Sequence, residues 1–205
     1  MGIKAVAFDY GGVISLPQDG NTMRDLAFIA GIDSALMRRI YWENRQIYDR
    51  GLVNGKEYFK NILADVGIFP DDLALEKMVL TDVKSWSRIN AETEQLMKDI
   101  KKAGLKVGIL SNMVQPFLDT VRETIPVFLI PDESVYSCEV DTVKPERKIY
   151  ELILSALGCK AGELVFFDDT GINVTAAAQL GIHAFLWRDA AAARRELELL
   201  CAGRL

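Results

Sequence analysis

Histidine and cysteine are scarce in this sequence, and basic residues do not outnumber acidic ones. The three cysteines, Cys138, Cys159 and Cys201, are odd in number and lack the spacing of a metal site. Reduced thiols are typical of the cytoplasm, where we expect the protein to act. The net charge of −5 argues against a nucleic-acid partner, because binding to a phosphate backbone needs clustered lysine and arginine.

Long apolar runs are also missing. No run approaches the ~18 to 20 residues of a membrane span, so we expect no membrane partner. The N-terminus lacks a basic stretch followed by an apolar core and a small-residue cleavage site, so we expect no secretion signal. Half of the residues, 50%, are hydrophobic and 26% are charged, which is typical of a globular protein with a full core. No feature of the sequence sets an oligomeric state.

The order of the predicted elements divides the chain in two. Residues 3–8 form an apolar run typical of a strand buried on both faces. Residues 21–86 carry helical signals only, and the four helices predicted there indicate a small bundle. The rest of the chain alternates helices with apolar strands, which predicts a parallel sheet. We therefore predict an α/β fold, with a Rossmann-like core of residues 1–14 and 89–205 and an inserted four-helix cap of residues 15–88.

Short apolar runs mark the remaining strand candidates of the core. They are residues 106–110, 127–130, 134–138, 164–167 and 182–187. Helical patterns separate most of them, and a long helical pattern in the cap extends from Asp33 towards Gly51. The sole histidine, His183, lies in the last strand candidate, and we predict a structural place for it.

Polar residues follow three of these apolar strands. Asp9 follows the first, Ser111 and Asn112 follow a second, and Asp168 and Asp169 end a third. Ligands of open α/β sheets bind just beyond the carboxyl ends of the strands. We therefore expect these side chains to converge at one edge of the sheet.

This set of groups suits phosphoryl transfer. Asp9 and Asp168 offer the hard oxygen ligands that Mg²⁺ prefers. A carboxylate that attacks phosphorus repels the phosphate, and Mg²⁺ and Lys144, at the mouth of a predicted helix, would supply the cations needed beside it. Ser111 can donate a hydrogen bond to the transferring group, and an aspartyl-phosphate on Asp9 would then be hydrolysed by water. Taken singly, the aspartates are equally well explained as strand-end or helix-capping residues, Ser111 and Asn112 are ordinary turn residues, and Lys144 is better explained as a solvated lysine at a helix start.

Four segments occur in a set order along the chain. They are Phe8-Asp9-Tyr10-Gly11-Gly12-Val13, Ile109-Leu110-Ser111-Asn112, Val143-Lys144-Pro145-Glu146, and Phe166-Phe167-Asp168-Asp169-Thr170 with Asn173. This order resembles that of the haloacid dehalogenase-like (HAD) hydrolases. The early helical insertion is similar to the cap of one subfamily, including the pattern Tyr48-Asp49-Arg50-Gly51 followed by Glu57-Tyr58-Phe59.

The resemblance implies a role for each site residue. Asp9 would be the nucleophile, with Ser111, Asn112 and Lys144 binding the substrate and Ser111 and Lys144 also acting in catalysis. Mg²⁺ would be the cofactor, and a small phosphorylated molecule would be the substrate. The implied metal ligands are Asp9, the Gly11 carbonyl and Asp168. Asp169 and Asn173 would support these ligands.

Gly11 departs from the pattern of the family. Its phosphatases usually carry a second aspartate there, which protonates the leaving group and later activates water. Loss of a general acid/base typically costs ~10²- to 10⁴-fold in rate. Water, the cap or the substrate could supply the acid instead, and Arg38, Arg39, Arg45 and Arg50 are cap candidates for anion contacts.

Three functions follow from this departure. The first is a Mg²⁺-dependent phosphatase of a small phosphorylated metabolite. The second is a dehalogenase in which Asp9 attacks carbon, against which the pair Asp168-Asp169 argues, as does Gly11 where dehalogenases favour tyrosine. The third is a catalytically weak or regulatory protein that binds a phosphorylated ligand or a protein partner.

Overall fold

The computed structural model describes residues 2–201, so the outermost residues of the predicted core, 1 and 202–205, lie outside it. Within the described range, five parallel strands form one sheet in the order β3-β2-β1-β4-β5. The strands are β1 Ala5–Phe8, β2 Lys106–Ser111, β3 Glu133–Tyr136, β4 Leu164–Asp168 and β5 His183–Leu186. Helices cover both faces of β1, which explains its unbroken apolar sequence. The predicted fold class is confirmed.

The register of the sheet brings the predicted polar residues to one edge. Phe8 pairs with Ile109 of β2 on one side and with Phe167 of β4 on the other. Asp9 and Asp168 therefore stand next to each other, each one residue beyond that pair. The backbone N–H of Asp9 donates to the carbonyl of Phe167 at 2.8 Å, which continues the ladder one residue beyond the paired strands.

Six helices within the described residues connect β1 to β2. They are α1 Thr22–Ala30, α2 Ser34–Glu43, α3 Arg45–Asp49, α4 Gly55–Ala64, α5 Asp72–Ser85 and α6 Ala91–Lys102. Local signals set their ends: Asp33 caps α2, and Asn54 and Glu57 form a reciprocal capping box on α4. The helical pattern predicted from Asp33 towards Gly51 is interrupted at Asn44, whose backbone leaves the helical region and separates α2 from α3. Residues 15–88 therefore contain five helices and not the predicted four.

The other helices lie between and after the later strands. They are α7 Gln115–Val121, α8 Ser137–Val140, α9 Arg147–Leu157, α10 Gly171–Gln179 and α11 Ala190–Cys201. The predicted strand at 127–130 is wrong, because Pro126–Leu129 forms a 3₁₀ turn. Pro126 has no N–H to give to a ladder, and β3 already occupies the edge beside β2. The strand predicted over 134–138 ends at Tyr136, where α8 follows it directly.

The hydrophobic core is continuous from the sheet into the inserted helices. One cluster of buried side chains joins Val6 and Phe8 of β1 to Met37, Tyr41 and Phe59 of the insertion. A second cluster fills the opposite face of the sheet. The chain leaves and re-enters the core at an antiparallel bridge between residues 15 and 89. Over residues 2–201, no helix has both the length and the apolar character needed to cross a bilayer.

Candidate active site

Three carboxylates meet where β1 and β4 end. One oxygen from each of Asp9, Asp168 and Asp169 lies within 4.8 Å of the others. Asp9 and Asp168 are buried and Asp169 is exposed. Hard carboxylate oxygens at this spacing fit a divalent cation such as Mg²⁺, which also keeps several waters.

Gly12 allows the carboxylate of Asp169 to approach the loop after β1. Gly12 has a φ of +72°, in the region that side chains other than glycine rarely adopt. A Cβ at this position would lie 2.4 Å from Oδ2 of Asp169. The second of the two glycines is therefore required both by the backbone conformation and by the neighbouring carboxylate.

Lys144 bridges two of the carboxylates. Its Nζ lies 2.7 Å from Oδ1 of Asp9 and 2.6 Å from Oδ2 of Asp168, and the side chain is buried. Burial favours the neutral amine, but the charges of Asp9 and Asp168 outweigh it and hold the pKa of Lys144 above its usual range. The ammonium therefore offsets the repulsion between the two carboxylates.

Burial dominates the titration of Asp9. It raises the pKa of Asp9 to about 7, against the opposing effect of Lys144 and with a further contribution from the charge of Asp168. The backbone N–H of Tyr10 donates to Oδ1 of Asp9 at 2.6 Å and limits its rotation. The carboxylate is thus buried and held at the strand end.

Asn112 holds the backbone of Lys144. Its Oδ1 accepts from the N–H of Lys144 at 2.7 Å, and its Nδ2 donates to the carbonyl of the same residue at 3.0 Å. Both ends of the amide are therefore engaged with the loop that carries the lysine. Sequence reasoning placed Asn112 in the site but did not find this pairing, since the two residues are 32 positions apart.

Asp168 is held on several sides. Besides Lys144, it accepts from the N–H of Thr170 at 2.8 Å and from Nδ2 of Asn173 at 3.1 and 3.2 Å. The carbonyl of Asn173 in turn accepts from the hydroxyl of Tyr150 at 2.9 Å. Asn173 therefore orients a buried carboxylate.

Ser111 and Gly11 both face the space above Asp9. Ser111 is buried at the end of β2, and Gly11 lies two residues after Asp9. The ring of Trp86 covers Gly11, since a Cβ there would lie 3.2 Å from Cζ3 of the indole. A side chain at position 11 would therefore meet the ring of Trp86, which comes from the insertion.

A cavity of about 430 Å³ lies above the carboxylates. The core side of its wall includes Asp9, Ser111, Asn112, Lys144 and Asp169. The inserted helices contribute Trp42, Arg45, Gln46, Asp49 and Trp86. The cavity therefore lies between the sheet edge and the insertion.

Of the arginines considered as anion contacts, Arg45 lines the cavity, whereas Arg38 and Arg39 line a separate surface depression. Arg45 is buried and pairs with Asp49 and Asp82. Asp49 and Trp86 were not predicted as site residues. The cap pattern that contains Asp49 was the available signal, and no local signal marked Trp86.

Comparisons with a family model and with known proteins point to the same family. Residues 3–181 match the family model of the haloacid dehalogenase-like hydrolases. Bifunctional epoxide hydrolase 2 of Rattus norvegicus is 26% identical over 216 residues, which cover 97% of this chain and 39% of that protein. This chain thus spans well under half of that relative's length. A phosphatase of Mycobacterium tuberculosis (strain CDC 1551 / Oshkosh) is 25% identical over 194 residues, covering 91% of this chain and 88% of that protein.

A solved structure has the same fold. It is a HAD family enzyme from Bacteroides thetaiotaomicron in complex with magnesium and inorganic phosphate, with a TM-score of 0.75 and 20% identity. The superposition covers 92% of this chain and 96% of that one. The sheet order, the helical insertion after β1 and the family match over residues 3–181 confirm the resemblance, and the chain belongs to the haloacid dehalogenase-like hydrolase family.

Proposed function

We propose that this hydrolase is a Mg²⁺-dependent phosphatase that acts on a small phosphorylated metabolite. The observation that carries the proposal is the position of Lys144, whose buried ammonium contacts both Asp9 and Asp168. A cation held beside a carboxylate nucleophile offsets the repulsion of an incoming phosphate. The carboxylate cluster around Asp9 supplies the oxygen ligands for the metal.

In this proposal, Asp9 attacks phosphorus and forms an aspartyl-phosphate, which water then hydrolyses. Ser111 donates to the phosphoryl oxygens, and Lys144 stabilises their charge. The resemblance implies that Asn112 binds the substrate. In this proposal it does so indirectly, because its two hydrogen bonds hold the backbone of Lys144 in place.

Mg²⁺ would be held by Asp9, the carbonyl of Gly11 and Asp168, and would neutralise phosphate charge when bound. Asp169 and Asn173 support this set. Asn173 does so through its hydrogen bonds to Asp168.

The inserted helices complete the substrate site. We assign residues 15–88 to a cap over a core formed by 1–14 and 89–205, and the cavity between them has the volume of a small metabolite. The phosphatase from Mycobacterium tuberculosis and the magnesium and phosphate complex from Bacteroides thetaiotaomicron support this choice of reaction.

Hydrolysis of an aryl phosphate tests the proposal directly. We expect turnover that requires Mg²⁺, stops on chelation and is lost in Asp9→Asn, a change that keeps the size of the side chain. Activity that survives this substitution or ignores chelators would contradict the proposal. Turnover of haloacetate would favour attack on carbon, and inactivity on a broad panel of phosphates would favour a regulatory protein.

A further inference from the structure

The vacant position at Gly11 leaves the proposed reaction without a proton donor. Gly11 has no side chain, and a Cβ there would lie 3.2 Å from Cζ3 of Trp86. The neighbouring Tyr10 does not replace it, because its hydroxyl donates to the carbonyl of Trp86 at 3.0 Å and burial raises its pKa far above its usual range. An alkoxide leaving group nevertheless needs a proton.

The cavity wall offers one carboxylate from the insertion. Among residues 2–201, the carboxylates that line the cavity are Asp9, Asp49 and Asp169. Asp9 and Asp169 belong to the acidic cluster at the sheet edge. Asp49 ends α3 and reaches the cavity from the opposite side.

We propose that Asp49 is the general acid and base of this enzyme and takes the place of the aspartate that Gly11 lacks. This inference rests on the proposed phosphatase function. It identifies a residue of the inserted helices, outside the four motifs, as part of the catalytic chemistry.

The turn that carries Asp49 is attached to the core beside Lys144. Ser137 donates its hydroxyl hydrogen to the carbonyl of Asp49, and Arg50 forms an ion pair with Glu146, two residues after Lys144. Gly51, with a φ of +74°, packs so closely that a Cβ there would lie 2.7 Å from the carbonyl oxygen of Cys138. These three contacts fix the position of Asp49 relative to the strand ends.

The surroundings of Asp49 suit both protonation states. Burial raises its pKa, against the effects of the Arg45 charge and hydrogen bond and, more weakly, of Lys144, while the charge of Asp82 adds to the increase. Nε of Arg45 donates to Oδ1 of Asp49 at 2.9 Å and stabilises the carboxylate once the proton has left. Oδ2 has no hydrogen-bond partner among residues 2–201 and remains for the substrate.

In the proposed catalytic cycle, Asp49 gives one proton to the leaving group and takes one proton from water. As Asp9 attacks phosphorus, the bond from phosphorus to the leaving oxygen breaks, and that oxygen takes the proton of Asp49 to give an alcohol. The resulting carboxylate of Asp49 then removes a proton from a water whose oxygen attacks the phosphorus of the aspartyl-phosphate. The bond between phosphorus and Asp9 breaks, inorganic phosphate leaves, and both residues return to their starting states.

Two substrates with different leaving groups test this role. For Asp49→Asn we expect kcat/KM on a primary alkyl phosphate to fall by ~10²- to 10⁴-fold, as for the loss of a general acid. On p-nitrophenyl phosphate, whose leaving group needs no proton, kcat/KM should fall far less. Its kcat should still decrease, with a burst of p-nitrophenol, because the aspartyl-phosphate loses its base.

Arg50→Gln is the matched control. It removes the ion pair with Glu146 that attaches the turn carrying Asp49. If Asp49 only held this turn in place, Asp49→Asn and Arg50→Gln would change the activities on the two substrates in the same proportion. We expect Arg50→Gln to change both substrates by one common factor, Asp49→Glu to recover part of the alkyl phosphate activity, and thermal unfolding to show folded protein throughout.

Equal losses on the two substrates in Asp49→Asn, or no loss on either, would overturn the inference. The phosphatase proposal would stand in that case if the wild type needs Mg²⁺ and Asp9→Asn is inactive. A wild type that hydrolyses neither phosphate would overturn both.

Discussion

The indole of Trp86 lies over Gly11, where a Cβ would be 3.2 Å from Cζ3 of the ring. Trp86 follows the end of α5, where the insertion returns to the sheet, and its carbonyl accepts from Tyr10 at 3.0 Å. The loop after the nucleophile and the end of the insertion are therefore fitted to each other. An aspartate cannot be restored at position 11 without moving this ring.

This contact predicts a coupled effect of two substitutions on stability. Gly11→Asp overpacks the contact, and we expect it to lower the free energy of unfolding by about 1–3 kcal/mol. In a Trp86→Ala background, which has its own cost from lost burial, the same change should cost less. A double-mutant cycle in urea measures the coupling, and additive costs would show that the ring does not exclude a side chain at position 11.

Gly12 should tolerate substitution less well than a glycine in open space. Gly12→Ala combines a left-handed backbone with a Cβ 2.4 Å from Oδ2 of Asp169, and we expect a loss above the ~1 kcal/mol of the backbone effect alone. Gly20→Ala is the control, because nothing lies within 4 Å of its Cβ. Combining Gly12→Ala with Asp169→Ala should recover part of the lost free energy of unfolding, which urea denaturation measures. If the double variant recovers nothing, the whole loss of stability comes from the left-handed backbone conformation of residue 12.

Removal of the Asn112 amide should act through Lys144. In Asn112→Ala the backbone of Lys144 loses two hydrogen bonds, and we expect a loss of about 1–3 kcal/mol in the free energy of unfolding together with a lower kcat. Gln115→Ala, which removes an exposed bond to Asp119, should change stability by less than about 0.5 kcal/mol. If Asn112→Ala kept the wild-type kcat, the amide would not be needed to position Lys144 for catalysis.

Magnesium should stabilise the folded protein through the carboxylate cluster. At ~100 times its dissociation constant, the ion should add about 2.7 kcal/mol to the free energy of unfolding. Asp168→Asn should abolish the increase in Tm, whereas Asp99→Asn, at a half-buried ion pair with Arg194 away from the carboxylate cluster, should keep it. An equal increase in Tm for Asp168→Asn would place the ion elsewhere.

The sequence by itself determined the order of the elements and the groups at the strand ends. Apolar runs such as 5–8 and 164–167 are unbroken because helices cover both faces of the sheet, so burial can be read from local composition. Parallel strands bring their carboxyl ends to one edge, which is why Asp9, Ser111 and Asp168 could be predicted to converge. The short run at 127–130 carried too little pattern to separate a strand from a 3₁₀ turn.

Only the tertiary structure decided which distant residues touch. Three such contacts are the pairing of Asn112 with Lys144, the ring of Trp86 on Gly11 and the place of Asp49 in the cavity wall, and each joins segments at least 32 positions apart. Such contacts depend on how the inserted helices pack on the sheet, and no local periodicity encodes that packing. The sequence therefore predicted that an acid is missing at Gly11, whereas only the fold placed the ring of Trp86 beside Gly11 and the carboxylate of Asp49 in the cavity wall.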